Sequence, residues 1–472
     1  MSAGVAMAAE HYSYELESFP REVAGLTNPT TTALPSVSST VALESEHQRE
    51  EEAIALPPVD GGIQAWTFVF CAFIIETLVW GFPFSYGVFQ EWYLSSPDSP
   101  FRGASESAIN AIGTIAIGLQ YIVGAFIMFF VQKYPQWTKP MMIASLIACV
   151  GGLALSSFAT QVWHLILLQG VVYGTAGGSL YMPVVGWLNE WFVTRRSFAC
   201  SFIFGGGGLG GAGFPLLANA LLQRVGFRWT LRTMAALVGV LGGLALIGAK
   251  PRLPVARHST PAPLSFSFMT SPVFILVAIT VFVQGLSYWP VSLYIPSYAA
   301  SLGFSSLNGT LALAAFNLAT VAGQVLFGFY CDKGSYTTVM IGSSVLSAVF
   351  AFVLWGFAHS LTPFYLFAVL FGGISGGFSS IFPPASTEIF SAQATTPFMI
   401  FGCAKGLASI TGPFIAAALH PKSASDELSA GSGGWSGYGF TAITIFVGSG
   451  MVASATLSGA VLAFRKKSMK SE

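Results

Sequence analysis

The stretch from Gly174 to Pro215 occurs twice in this chain. Adding 198 to its numbers matches Gly174 to Gly372, Gly178 to Gly376, Glu190 to Glu388, Phe192 to Phe390, Gly208 to Gly406, Leu209 to Leu407 and Pro215 to Pro413. A constant offset across two apolar segments and the charged loop Glu190–Arg196 between them points to a duplicated bundle. The second segment carries seven glycines between Gly205 and Gly213. In water each interior glycine costs about 1 kcal/mol relative to alanine. In a bilayer unpaired backbone is too costly, so the segment stays helical and its glycines let neighbouring backbones approach. Gly206 with Gly210, and Gly207 with Gly211, make small-x-x-x-small pairs for close helix packing.

The rest of the chain fits this setting. Of its 472 residues 53% are hydrophobic and 8% charged, far from the roughly 25% charged residues of a soluble domain. Twelve apolar runs approach the ~20 residues a membrane helix needs. Their cores are Gln64–Phe89, Ile109–Val131, Pro140–Phe158, Trp163–Leu188, Phe198–Leu222, Trp229–Ala249, Pro272–Tyr298, Leu307–Phe329, Val339–Phe357, Leu361–Ile381, Phe398–Leu419 and Phe440–Phe464. The expected fold is all-α and polytopic, with twelve transmembrane helices in two pseudo-symmetric six-helix bundles. The expected divisions are a disordered cytosolic tail 1–58, a first bundle 59–249, a cytosolic linker 250–271, a second bundle 272–464 and a cytosolic tail 465–472.

Charge sets the expected orientation. With the amino terminus inside, the inner loops and tail hold twelve Lys and Arg, including Lys133, Lys139, Arg195, Arg196, Lys250 and Arg465. The outer loops hold four, Arg102, Arg224, Arg228 and Lys422. That excess puts both termini in the cytosol, most simply at the plasma membrane. The first 58 residues carry nine Glu against Arg21 and Arg49 and lack a signal-peptide core. A net charge of zero, without a basic patch, argues against nucleic-acid binding. Five scattered cysteines suggest neither a disulfide framework nor a metal site, and no cofactor is implied. Asn308-Gly309-Thr310 is an outward glycosylation sequon, but it abuts the eighth segment and reads better as an unmodified helix start.

Two enzyme patterns dissolve in this context. Gly205-x-Gly207-x-x-Gly210 and Gly373-x-Ser375-x-Gly377 lie inside membrane segments and follow no strand. No phosphate-binding G-x-x-x-x-G-K-[S/T] loop occurs, so transport would draw on a gradient, and no nucleophile, base and orienter set suggests an enzyme.

Ionisable residues within the spans are the best local pointers to a pathway, because each costs at least about 2.5–3.5 kcal/mol at a helix centre. Glu76, Lys405 and Arg232 qualify. Arg232 lies near a span end and can reach the interface. For Glu76 and Lys405 two readings stand open. They form an ion pair across the two halves, or Glu76 is protonated and merely hydrogen-bonded; alternatively Lys405 meets an anionic substrate and Glu76 carries a proton.

Asp60-Gly61-Gly62-x-x-Ala65-Trp66, entering the first segment, resembles the opening motif of the monocarboxylate porter family of the major facilitator superfamily, in the form found in filamentous fungi. Trp191-Phe192-x-x-Arg195-Arg196-x-x-Ala199, followed by Gly206, Gly208 and Gly210, resembles that family's motif between its fourth and fifth helices. Gly328-x-x-x-Asp332-Lys333-Gly334 is similar to the general facilitator loop motif. The resemblance covers Asp60 to about Phe464. It departs at Thr194, at Ser201 and at Gln132-Lys133, which lacks the acid of the Asp332 loop. The eighth segment offers Asn308, Asn317 and Gln324 where animal members carry an Asp and Arg pair, so lactate-type proton symport does not carry over.

The resemblance implies a central cavity lined by segments 1, 4, 7 and 10, here with Tyr86, Tyr173, Tyr181, Gln284, Tyr288, Trp289, Tyr294 and Ser379. Asn317 joins them as a polar candidate. Pro290 and Pro296 are expected to break the hydrogen-bond ladder of the seventh helix at cavity depth. Glu190, Arg195, Arg196, Asp332 and Glu388 are the expected inner gate, closing when the outer side opens. The function implied is a secondary active transporter of a small organic anion or amphipathic metabolite, such as a secondary-metabolite exporter, with protons as a candidate coupling ion. A vitamin or monocarboxylate uptake carrier is the alternative, and a non-transporting sensor with the same fold is the alternative of another class.

Overall fold

A computed structural model describes residues 57–193, 195–253, 267–390, 395–420, 435 and 439–471, and every element among them is helical. The amino-terminal tail, Thr194 and most of the linker lie outside the described residues, as do the side chains of Arg196, Asp332 and Lys333. Eleven helices among the described residues are long and apolar enough to cross a membrane. One of them, Phe202–Gly248, has 47 residues, about 70 Å at 1.5 Å each and enough for two crossings. Gly226 divides it, with φ 74° and ψ 174° inside otherwise helical backbone.

Numbered as twelve spans, the helices are α1 (Gly62–Ser95), α2 (Glu106–Lys133), α3 (Pro135–Ser156), α4 (Val162–Trp191), α5 (196–225), α6 (227–248), α7 (Pro272–Ser301), α8 (Ser306–Lys333), α9 (Tyr336–Trp355), α10 (Leu361–Ile389), α11 (Thr395–Leu419) and α12 (Thr441–Ser471). Several of them depart from a simple rod, α9 with a π-helical stretch over Phe350–Trp355 and α10 with a tighter turn over Gly377–Ile381 among them. The first helix, α1, is interrupted at Ser85, just after Pro83, so Tyr86 opens a second helical piece. In α4 a π-helical stretch runs over Ile166–Val172. α7 runs as one helix through Pro290 and Pro296, each of which removes one bond of its ladder without unwinding its neighbours.

The duplicated glycines do the same job in both halves. Gly174 and Gly178 on α4 lie flush against Ala116 and Gln120 of α2, where an added methyl would meet backbone within 3 Å. Their counterparts Gly372 and Gly376 on α10 lie flush against Phe316 and Thr320 of α8. The glycines of α5 serve two neighbours. Gly206 and Gly210 press on the carbonyls of Phe73 and Thr77 in α1, while Gly208 and Gly211 face Val321 and Asn317 of α8 in the other half. Apart from the glycines, α6 is tied down beside the Gly226 turn. Arg232 donates to the Ser157 hydroxyl at 3.0 Å and lies over Phe158 and Trp229, which accounts for its charge at the membrane edge.

Candidate functional site

Rings from both halves meet at mid-depth. Trp80 of α1 contacts Phe84, Tyr121 of α2 and Tyr181 of α4 at centroid distances of 5.4, 4.9 and 5.5 Å. Trp289 of α7 contacts Phe84 and Tyr121 at 6.3 and 6.2 Å, and Tyr288 at 5.1 Å. This is an aromatic wall shared by the halves, of which the family resemblance pointed to Tyr181, Tyr288 and Trp289 but not to Trp80, Phe84 or Tyr121.

Glu76 and Lys405 both border this wall and do not pair. Among the described residues, the carboxylates in close contact with a basic side chain are Glu388, paired with Arg465, and Glu106, against the His420 ring. Lys405 is 3% exposed; its ammonium donates to the Ser379 hydroxyl and stands over the rings of Tyr288, Trp289 and Phe382 at 5.3, 5.9 and 5.9 Å. Glu76, 5% exposed, faces bare backbone: a methyl at Gly207 would sit 3.9 Å from its Cγ. Gly207 is the repeat counterpart of Lys405, so one half presents a cation where the other leaves room beside a carboxyl. No ion pair joins Glu76 to Lys405 in this structure.

Several residues expected to line a cavity hold helices together instead. Tyr173, fully buried, donates to the Leu78 carbonyl at 3.0 Å, and Tyr86 donates to the Ile109 carbonyl at 2.6 Å. Asn317 donates to the Gly211 carbonyl at 2.7 Å, joining α8 to α5. In each case burial forces the polar tip to find a backbone partner, so it is spent on packing. Gln284 donates to Ser375 at both its carbonyl (2.9 Å) and its hydroxyl (3.0 Å), and its Oε1 is buried without a partner; Tyr288 bonds Thr320 at 3.1 Å. In the sequon, Thr310 is buried and donates to Ser306 one turn back, which keeps Asn308 within a helix.

At the end of the bundle that holds the termini, the expected charge cluster is rearranged. Glu190 accepts the amides of Arg252 and Leu253 at 2.9 and 3.1 Å, clamping the linker, and Arg195 is exposed. Its counterpart Glu388 pairs with Arg465 and accepts from Tyr336 within the same half. Two equivalent acids therefore hold local chain. Glu190 lies beside linker amides and Glu388 beside an arginine of α12, neighbours that no offset comparison could show. Asp60, missed as a functional residue, has positive φ and accepts the amides of Val193 and Arg195, each at 2.9 Å. It thereby joins the opening motif to the loop after α4.

At the opposite end lies a second group, of which the sequence reading named only Tyr294, as a cavity residue. Tyr294 donates to the Glu106 carboxylate, Asn110 donates to Tyr294 at 3.0 Å, and His420 Nδ1 meets the other Glu106 oxygen at 3.2 Å. These bonds join α2 of the first half to α7 and the end of α11 of the second. Ser306 donates to Asn219 at 2.8 Å across the same divide. Between this group and the aromatic wall, Tyr86, Gly87, Thr114, Trp289, Leu293 and Ser409 enclose about 10 Å³, room for hardly one water.

Comparison with known proteins agrees with this architecture. The "MFS-type transporter hasB" of Aspergillus fumigatus is 27% identical over 454 residues, 91% of this chain and 96% of that protein. The "Fujikurins efflux protein" of Gibberella fujikuroi is 27% identical over 342 residues, 72% of each. Among solved structures, the nucleoside transporter NupG superposes with a TM-score of 0.64 at 13% identity, over 84% of this chain and 99% of that one. Two six-helix halves, a glycine-packed α5 and a match of residues 65–413 to the description "Major Facilitator Superfamily" place this chain in that superfamily, as a multi-pass membrane transporter.

Proposed function

We propose that the chain is a secondary active exporter of an amphipathic organic anion, in the monocarboxylate-porter branch of its superfamily. It works in the plasma membrane with both termini in the cytosol, as the Lys and Arg excess at the termini end favours. Lys405 receives the anionic group, the rings of Tyr288, Trp289 and Trp80 take the apolar body, and Glu76 carries the proton whose inward gradient drives efflux.

The observation behind this reading is the ammonium of Lys405, buried at mid-depth with a hydroxyl and three rings around it and no carboxylate in ion-pair contact among the described residues. A membrane cation so placed is costly unless it serves a ligand or a water-filled path. Export is favoured by the efflux protein among the relatives.

The test is thermal unfolding of the purified chain against a panel of organic acids and their neutral esters, since a ligand of the native state raises stability. Lys405→Met should lose the acid-induced shift and keep any ester-induced one. A well-folded Lys405→Met chain with unchanged affinity for every acid that binds would sink the anion role. Reconstituted flux under an imposed pH gradient then separates transport from sensing, because a sensor binds without counterflow.

A further inference from the structure

We propose that Glu106 is the latch of the gate at the end of the bundle opposite the termini. Its two oxygens hold two segments of the second half, through Tyr294 on α7 and His420 just past the end of α11, so the halves cannot part there without breaking both bonds. A carboxylate is acceptor only, so the histidine ring donates, and both bonds are of the charge-assisted kind.

Each partner is set in place from its own half. Glu106 occupies the first turn of α2, capped by Ser105, where the helix dipole favours an acid. Tyr294 and His420 both pack on Phe440, at centroid distances of 6.0 and 4.8 Å, and on each other at 5.8 Å. Asn110, one turn along α2, adds its donor to the Tyr294 oxygen. The latch is therefore a rigid hook meeting a rigid catch.

Its position gives it the role of a gate. The described hydrogen bonds between the halves, from Glu106, Asn110, Asn219 and Gly211 to Tyr294, His420, Ser306 and Asn317, fall at this end or at mid-depth. At the termini end Asp60, Glu190 and Glu388 bond within one half or to the linker. Between the latch and the aromatic wall lies only the 10 Å³ space beside Ser409, Leu293 and Trp289. Letting go of Glu106 is the step that opens this space.

The experiment reads that opening with a thiol. Ser409→Cys is placed in a chain whose native cysteines are replaced, and a membrane-impermeant thiol reagent is applied to each face of the membrane. Arg102→Cys, in the exposed loop before α2, marks which face is the latch end, so an error in the assigned orientation is read separately. Glu106→Gln and Tyr294→Phe should each raise the labelling rate of the Ser409→Cys thiol about tenfold, the weight of one charge-assisted bond, from the face that labels Arg102→Cys. His420→Leu should act likewise, and His420→Gln, which keeps a donor, should stay near the parent rate. Loosening of the whole fold would raise labelling from both faces, and that result overturns the latch. So does an unchanged rate in both Glu106→Gln and Tyr294→Phe.

Discussion

The Asp60 carboxylate accepts the amide of Arg195 at 2.9 Å, across 135 positions of sequence. With the Val193 amide on the same oxygen and its own amide bonded to the Trp191 carbonyl, Asp60 fastens the entry of α1 to the turn between α4 and α5. The two motifs at these places are thus one structural feature.

Asp60 sits at φ 59°, a conformation that Asn tolerates and Ala does not. Asp60→Ala should lower stability by about 1.5–3 kcal/mol through the lost charged acceptor. Asp60→Asn, with an acceptor and a tolerant backbone, should lose clearly less. Thermal unfolding in detergent ranks the two; equal losses would mean that the acceptor does not matter.

Because Glu76 and Lys405 share no ion pair, neither leaves the other stranded when replaced. Glu76→Gln and Lys405→Met should both express and fold, and their effects on stability should add within about 0.5 kcal/mol. A double variant that rescues two damaged single variants would restore the ion pair as the correct reading.

The glycines of α5 differ in what surrounds them. A methyl at Gly210 collides with the Thr77 carbonyl, whereas Gly205 has nothing within 4 Å. Gly210→Ala should destabilise by about 1–3 kcal/mol, the range for overpacking, and Gly205→Ala should be nearly neutral. Unfolding temperatures of the two variants decide it; similar values would place the close packing elsewhere.

Gly226 turns the chain between α5 and α6 in a backbone region that only glycine occupies freely, φ 74° with ψ 174°. Gly226→Ala should cost about 1–3 kcal/mol although no atom lies within 4 Å of the added methyl. Wild-type stability in that variant would show that the turn adapts.

Much of the fold is carried by local chemistry. Apolar length sets each span, because a backbone in hydrocarbon must bond to itself, and the 198-residue offset places Gly174 and Gly372 in the same packing role without reference to coordinates. The mid-membrane charges Glu76 and Lys405 stand out for the same reason, since lipid taxes a charge wherever its neighbours lie. What those charges touch is another matter. Whether Lys405 meets Glu76 or Ser379, whether Tyr173 lines a path or holds Leu78, and whether Glu190 and Glu388 act alike all depend on how rigid helices are set against one another. That placement arises from many packing contacts at once, and residues such as Glu106, Tyr294 and His420, hundreds of positions apart in part, become neighbours only through it. Composition and periodicity report the solvent each helix needs; only the tertiary structure decides which faces meet.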